Sequence, residues 1–416
     1  MAKLAINGGK AISKGVRITW PAVAADDVAA ATRVAKSGQW WRYGGHEVEN
    51  FEKEFGKFHD AKYVLAIANG TVAIEAALRA CGIEAGDEVI VPSVTFIASA
   101  SAVLLVQGIP IFADILEDTC QIDPADAERK ITPRTKAILV VHYAGYPVDM
   151  DAIRRIAKAH DLWVIEDSAH AQGTEWKGRK VGAIGNIGTF SFQQSKSLTC
   201  GEGGAVVTDS EDLYNKAYAY HHIGRALGAA RYEHTSVGPN YRITEFQGAI
   251  LRTQLKKLPR QNETRAKNHK ALAKALADIP GIRMLKEDKR VTKRGYYFCV
   301  LRFDENEFGA SRDAFMAAMN AEGTALLPGY GKPVYQLPAF RDMSFGRKGC
   351  PLTCGHYRGK MDYSKVHCPV AEEVSARRHI TIGNDTLLST EAIDLIADAA
   401  HKVYENRAEL RSFRRK

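Results

Sequence analysis

From about residue 60 to 210, short continuous apolar runs alternate with longer stretches in which apolar positions recur every three or four residues. The runs fall at 63–68, 88–91, 109–112, 137–142, 163–166 and 204–208, too short for helices and bounded by polar or turn residues. Each reads as a strand buried on both faces. Between them, Met150, Ile153, Ile156 and Ala157 mark one face of a helix over 150–160, with Asp149 placed to cap its start. Strand–helix alternation of this kind predicts an α/β fold with a mainly parallel sheet covered by helices on both sides. Ligands of such sheets bind beyond the carboxyl ends of the strands, so the residues just after each strand are the functional candidates.

Beyond residue 240 the pattern changes. A helical stretch over 240–255 is expected to stop before Pro259, and a polar helix over 261–277 to follow it. Strand-like segments at 296–303 and 379–382 and amphipathic helices at 311–322 and 390–404 then suggest a smaller α+β unit. The expected division is a large domain, 1–259, with an N-terminal arm at 1–20, and a small domain, 260–416. An irregular insertion at 343–373, rich in Cys, Gly, Lys and Pro, belongs to the latter.

Composition narrows the class. With 45% hydrophobic and 25% charged residues over 416 positions, the chain is ordinary for a folded globular protein. No window of about 20 apolar residues exists to span a membrane. The opening MAKLAINGGK lacks a basic head and apolar run, so no signal peptide is expected and a cytoplasmic location is. The net charge of +9 gathers partly at 252–270 and 411–416. Neither stretch interleaves its basic residues with aromatics, so solvated helix faces are expected rather than a nucleic-acid surface. Seven scattered cysteines argue against a disulfide framework and for a reducing compartment. Cys350, Cys354, His356, His367 and Cys368 cluster, but their spacing does not match a paired zinc knuckle, and no metal site is expected.

Four strand ends carry candidate chemistry. After residue 68 comes Asn69-Gly70-Thr71 and a strong helix former, a turn that suits a phosphate but equally a plain helix start with Thr71 as cap. Phe96, just past another run, could stack on a planar ring or fill the core. Asp167 ends a very apolar run, where a carboxylate must meet donors or a cation; it either caps a turn or faces a positive ligand atom, with His170 within reach. Lys196 sits in the polar, glycine-rich stretch 189–204 between two strand-like runs. A desolvated lysine there becomes a nucleophilic amine able to form a Schiff base with an aldehyde cofactor. Pyridoxal phosphate requires a lysine, an acid for its ring nitrogen, a phosphate cup and a stacking ring. Lys196, Asp167, Gly70-Thr71 with Ser191, and Phe96 could supply them.

The same segments carry a resemblance. NGTVAIEAAL, DEVIVPSVTFIAS, VIEDSAHAQG, GTFSFQQSKSLTCGEGGAVVT and NYRITEFQGAI are similar to successive signatures of the DegT/DnrJ/StrS family of pyridoxal-phosphate enzymes, mostly aminotransferases of keto-sugars and keto-cyclitols. The resemblance spans about 20–260 and, more loosely, the rest. It implies the aspartate aminotransferase-type fold I and a homodimer with shared active sites. It makes Lys196 the Schiff-base lysine and Asp167 the partner of the pyridinium nitrogen. His170 matches a position near the cofactor's phenolic oxygen, Phe96 the stacking aromatic, and Gly70, Thr71 and Ser191 the phosphate cup. Asn240 matches an asparagine that reaches the phosphate of the neighbouring subunit. The stretch at 38–45, then EVENFEKEF, resembles amino-hydroxybenzoate synthases. LAINGGK, QQSKSLT and the two Cys-Pro pairs of the insertion are closer to glutamine-dependent scyllo-inosose aminotransferases. Glutamine or glutamate as donor and a cyclic ketone as acceptor are therefore implied. Arg42 is a candidate for an anionic group of donor or substrate, as are Tyr330 and Tyr335 of PGYGKPVYQLPAF for the substrate, Tyr335 standing where several relatives have His. Two alternatives stay open: a dehydrating, aromatising lyase with the same cofactor and lysine, and a non-catalytic cofactor-binding regulator.

Overall fold

The computed structural model describes residues 3–411. Its strands are β1 (Tyr63–Ile67), β2 (Glu88–Pro92), β3 (Ile109–Ala113), β4 (Thr135–Val141), β5 (Trp163–Asp167), β6 (Glu175–Trp176), β7 (Arg179–Lys180), β8 (Ile187–Ser191), β9 (Gly204–Thr208), β10 (Ile282–Met284), β11 (Val291–Lys293), β12 (Phe298–Phe303) and β13 (His379–Gly383). Seven form one sheet in the order β1-β9-β8-β5-β4-β2-β3. β8, β5, β4, β2 and β3 run parallel, and β9 is antiparallel to both β8 and β1, so β1 points the same way as the parallel set. Every residue of β2, β3, β8 and β9 is buried, as expected of a sheet covered on both faces. The carboxyl ends of β1, β2, β4, β5 and β8 therefore open onto one edge.

The second core is built on the antiparallel sheet β10-β12-β13, covered by helices Arg312–Ala321 and Thr390–Glu405 through Phe315, Met319, Ile393 and Ile396. The remaining strand, β11, joins the β6–β7 hairpin. Pro259 does not break its helix: one helix runs from Glu245 to Ala275. Proline removes a single intrahelical bond, and buried Leu251, Leu255 and Leu258 on one side hold the helix to a cluster over β1, β8 and β9, while Leu272 on the other holds it to the second core.

Two segments pack across the expected division. Leu4 lies in the second core, and Glu322 accepts from the N–H groups of Ala5 and Ile12 at 2.9 and 3.1 Å, so the arm starts against the C-terminal unit. The insertion docks on the sheet instead: Leu352, Tyr357, Tyr363 and Cys368 are buried in the first core. Tyr363 donates to the Pro110 carbonyl and Tyr357 to Glu88, each at 3.0 Å. Its aromatics thereby cover the unpaired edge of β3.

Cys350 and Cys354 are joined by a disulfide, a departure from the expectation of unpaired thiols, and the other five cysteines are free. Their closeness in the insertion, with Cα atoms 5.3 Å apart, permits the bond. The basic stretch 252–270 is only partly a solvated face. Arg252 pairs with Glu47 and Glu54, Lys257 with Asp26 and Asp27, and Arg265 is fully buried. The basic tail from 412 onward lies outside the described residues. Among the described residues no helix is long and apolar enough to cross a membrane, and no group of His, Cys, Asp and Glu could hold a metal.

Candidate active site

Strand alternation at the end of β5 divides two adjacent acids. Glu166 faces away from the open edge into a closed set of donors: His142 Nε2 at 2.9 Å and the N–H groups of Gly182, Ile184 and Gly185. Val148 N–H donates to His142 Nδ1 at 3.1 Å, which leaves the ring proton on Nε2, toward Glu166. Burial works to raise the Glu166 pKa, but His142 and the backbone donors outweigh it and hold the carboxyl below its ordinary range. Asp167 occupies the functional edge. Ser99 Oγ donates to its Oδ2 at 2.8 Å and Ala169 N–H to its Oδ1 at 3.1 Å. Burial raises its pKa in spite of these donors and the charge of Lys196.

Lys196 follows β8 in a tight, polar segment and is half-buried, its Nζ 4.3 Å from the centroid of the Tyr297 ring. Desolvation lowers its pKa to about 8 against the opposing pull of Asp167. Among the described residues neither Lys196 nor Asp167 is in an ion pair; each acts on the other through space. The Tyr297 hydroxyl meets Ser195 Oγ at 2.9 Å, and its ring stacks on His170 with centroids 4.0 Å apart. His170 Nδ1 accepts from Ala144 N–H at 3.3 Å, so Nε2 carries the proton toward the Tyr330 hydroxyl at 3.4 Å. Desolvation holds this imidazole neutral.

At the end of β1 the helix Gly70–Ala80 begins, capped by Asn69 rather than Thr71: Asn69 Oδ1 accepts from Val72 N–H at 3.1 Å. The N–H groups of Gly70 and Thr71 are left without helical acceptors. Gly70 is required by crowding, since a Cβ there would lie 2.7 Å from Ser191 Cβ. The turn and the end of β8 thus form one cradle.

Phe96 is not core: it is 55% exposed, with its ring 6.3 Å from Tyr330. Asn240 lies exposed on the surface segment that follows His222. Arg42 and Tyr335 are not brought to the edge with a free group. Arg42 is 8% exposed, paired with Glu52 at 2.7 Å and bonded to the Ala66 carbonyl, because it closes the gap between the helix Glu47–His59 and β1. Tyr335 is 1% exposed in the first core, with its hydroxyl on Glu372 and the Cys368 N–H. Sequence reasoning missed Ser99 and Tyr297. Ser99 stands three residues after Phe96 in a helical stretch, which was a usable signal; Tyr297 comes from the bend just before β12, far along the chain, and left none.

A family model described as the DegT/DnrJ/EryC1/StrS aminotransferase family matches residues 21–357. The chain belongs to this family. It is 36% identical over 431 residues to an L-glutamine:2-deoxy-scyllo-inosose aminotransferase of Micromonospora echinospora, covering 99% of this chain and 100% of the relative. It is 34% identical over 390 residues to a 3-amino-5-hydroxybenzoate synthase of Amycolatopsis mediterranei, with 91% and 96% covered. The X-ray structure of an aminotransferase from Psychrobacter cryohalolentis matches with a TM-score of 0.84 and 33% identity, over 94% of this chain and 99% of that one. This DegT-family chain is a pyridoxal-phosphate-dependent aminotransferase of fold I, and its residues fit the cofactor. The cradle at Gly70 and Ser191 has bare N–H donors, Asp167 is a buried carboxylate with no cation bound to it, and Lys196 is an amine with a depressed pKa.

Proposed function

We propose that this enzyme moves the amino group of L-glutamine to a six-membered keto-cyclitol of the scyllo-inosose class. The observation that carries the reading is the placement of Lys196 and Asp167 at one sheet edge, in a chain similar over nearly its full length to a relative named L-glutamine:2-deoxy-scyllo-inosose aminotransferase. When bound, pyridoxal phosphate supplies an aldehyde that takes up amines and a ring that accepts electrons from the carbon being deprotonated.

The protein's own groups do the rest. Gly70 and Thr71 N–H, the Thr71 hydroxyl and Ser191 would hold the phosphate, Phe96 would cover a ring face, and Asp167 would keep a proton on the ring nitrogen. The Lys196 amine, unprotonated in useful amounts near neutral pH because of desolvation, would bind the aldehyde and would serve as the base for the donor's α-proton. Neutral His170, stacked on Tyr297 and facing Tyr330, offers an N–H donor beside the ring. Tyr330 remains in the proposed substrate set; Arg42 and Tyr335, tied into the core, do not.

We place the working unit as a homodimer with Asn240 reaching the partner's phosphate cup. Supporting this, Asn240 is exposed at the end of a segment that also exposes Leu227, Tyr232 and Val237, the last 95% exposed, apolar side chains that a second copy would cover. A cytoplasmic location fits the five free thiols.

The test is to load the protein with pyridoxal phosphate and add L-glutamine, then 2-deoxy-scyllo-inosose. Loss of the cofactor's visible band with glutamine, followed by its return and an aminocyclitol product with the ketone, is expected. No response to glutamine, or no amine product, overturns the reading. Similarity to a 3-amino-5-hydroxybenzoate synthase keeps a second reading, a dehydrating and aromatising lyase. Release of an aromatic product with no amino donor present would establish it.

A further inference from the structure

Lys196 stands on a segment, residues 192–203, that is neither helix nor strand, so its position is set by whatever holds the backbone there. Three side chains from elsewhere in the chain do so. Gln172 Nε2 donates to the Ser191 carbonyl at 2.9 Å, Trp20 Nε1 to the Gln194 carbonyl at 2.9 Å and Asn384 Nδ2 to the Ser195 carbonyl at 2.7 Å. The last two grips fall on the two residues directly before Lys196. Ser195 is held a second time, its Oγ lying 2.9 Å from the Tyr297 hydroxyl. Within the segment, Lys196 N–H returns to the Gln193 carbonyl at 2.8 Å.

The two donors come from opposite ends of the chain: Trp20 ends the N-terminal arm, and Asn384 follows β13 of the second core. Arg265 of the long helix joins them. Its Nε donates to the Asn384 carbonyl at 3.0 Å, its Nη1 to Asn262 Oδ1 at 2.9 Å, and its guanidinium carbon lies 5.4 Å from the centroid of the Trp20 ring. Asn262 in turn donates to the Gln172 carbonyl at 2.9 Å, so all three grips belong to one network. Arg265 is fully buried and in no ion pair among the described residues. Burying a charge without a counterion is costly, and this one is kept where it orients the donor on the lysine's backbone.

We propose that Asn384 and Trp20, set in place by Arg265, are positioning residues for Lys196: by pinning the Ser195 and Gln194 carbonyls they hold the amine at the sheet edge, aimed at the carbon it must reach. The proposal rests on Lys196 being the lysine that binds the cofactor's aldehyde. Misplacing a reacting group costs rate steeply, since reacting atoms must meet at about 3–3.5 Å. Neither grip carries a charge. Asp167, His170 and Tyr297, the titratable groups facing Lys196 among the described residues, stay in place when either grip is removed.

The experiment compares two ligands of the cofactor-free protein. Stopped-flow absorbance follows pyridoxal phosphate, whose aldehyde carbon bonds to the lysine nitrogen with loss of water. Borohydride then reduces the new C=N bond, and peptide mass spectrometry locates it. Equilibrium dialysis measures pyridoxamine phosphate, which fills the same phosphate cup and ring site but cannot make that bond. Asn384→Ala keeps the backbone carbonyl that Arg265 needs, and Trp20→Phe keeps an aromatic ring against Arg265 while losing the N–H. Each should slow bond formation about tenfold, the size of one lost hydrogen bond, with affinity for pyridoxamine phosphate unchanged. Bond formation at the wild-type rate in either variant, or a parallel fall in pyridoxamine phosphate affinity, overturns the proposal. Borohydride labelling of the wild type at a residue other than Lys196 overturns the assignment of that lysine itself, and the proposal with it.

Discussion

Ser99 Oγ donates a 2.8 Å hydrogen bond to Asp167 Oδ2, tying the start of the helix Ala98–Leu105 to the end of β5. Ser99 is itself held by Thr95 Oγ1 at 2.8 Å, so the carboxylate is oriented by a short relay from the β2 end. Burial raises the Asp167 pKa, and the hydrogen bond from Ser99 offsets part of that rise.

Removing that donor should therefore move the pKa up. In Ser99→Ala, the acid limb of the pH–kcat profile shifts to higher pH and kcat at neutral pH falls several-fold, with KM for the donor little changed. A profile identical to wild type would remove Ser99 from the mechanism.

Lys196→Ala should lower turnover by at least about 10²–10⁴-fold, the range of a lost general acid–base group, and its visible band should no longer respond as wild type does to glutamine. Substantial residual turnover would end the assignment of Lys196.

Because desolvation brings the Lys196 pKa to about 8 from 10.5, the free amine is the minority form below that value and the major form above it. Capture of pyridoxal phosphate by the cofactor-free enzyme should accelerate as pH rises and level off above about 8. Stopped-flow absorbance checks this; an apparent pKa near 10.5 would show the lysine to be solvated.

Gly70→Ala places a methyl group 2.7 Å from Ser191 Cβ and should disturb the phosphate cradle first. Overpacking of this kind costs about 1–3 kcal/mol. Equilibrium dialysis should show weaker cofactor retention, while far-ultraviolet circular dichroism shows unchanged helix and strand content.

Glu166→Ala should destabilise the fold by about 3–5 kcal/mol, because His142 and three backbone N–H groups lose their common acceptor in a dry interior. Its pKa is lower folded than unfolded, so its contribution is complete above the ordinary value of 4.5 and is lost as pH falls through the folded value. Urea unfolding against pH measures both effects.

The central sheet was legible because its strands are buried on both faces and so read as unbroken apolar runs; β8 was the exception, since Gly188, Thr189 and Ser191 dilute its pattern while remaining buried. That Lys196, Asp167 and Gly70 come to one edge was legible because each lies at or shortly after the end of a strand. Phe96 was ambiguous until its exposure was seen, and of the two readings of Thr71 the helix cap fails, because the side-chain oxygen of Asn69, two residues earlier, serves instead. Pro259 misled for a different reason: local propensity predicts a stop, but burial on both sides of the proline overrides one lost hydrogen bond. Arg42, Tyr335 and the insertion depended on contacts between residues far apart in the chain, which no local pattern encodes.

Pro259 also gives the long helix an unequal stiffness. Lacking an N–H, it leaves the Leu255 carbonyl without its usual donor, so bending the helix there breaks one hydrogen bond fewer than bending it anywhere else. The cluster over β1, β8 and β9 and the smaller core are joined by a rod whose softest point lies where the first grip ends, with Leu251, Leu255 and Leu258 before it and Leu272 after it. Any rocking of the smaller core over the catalytic edge would pivot at that joint and shift Tyr297, which stands just ahead of β12, relative to Lys196.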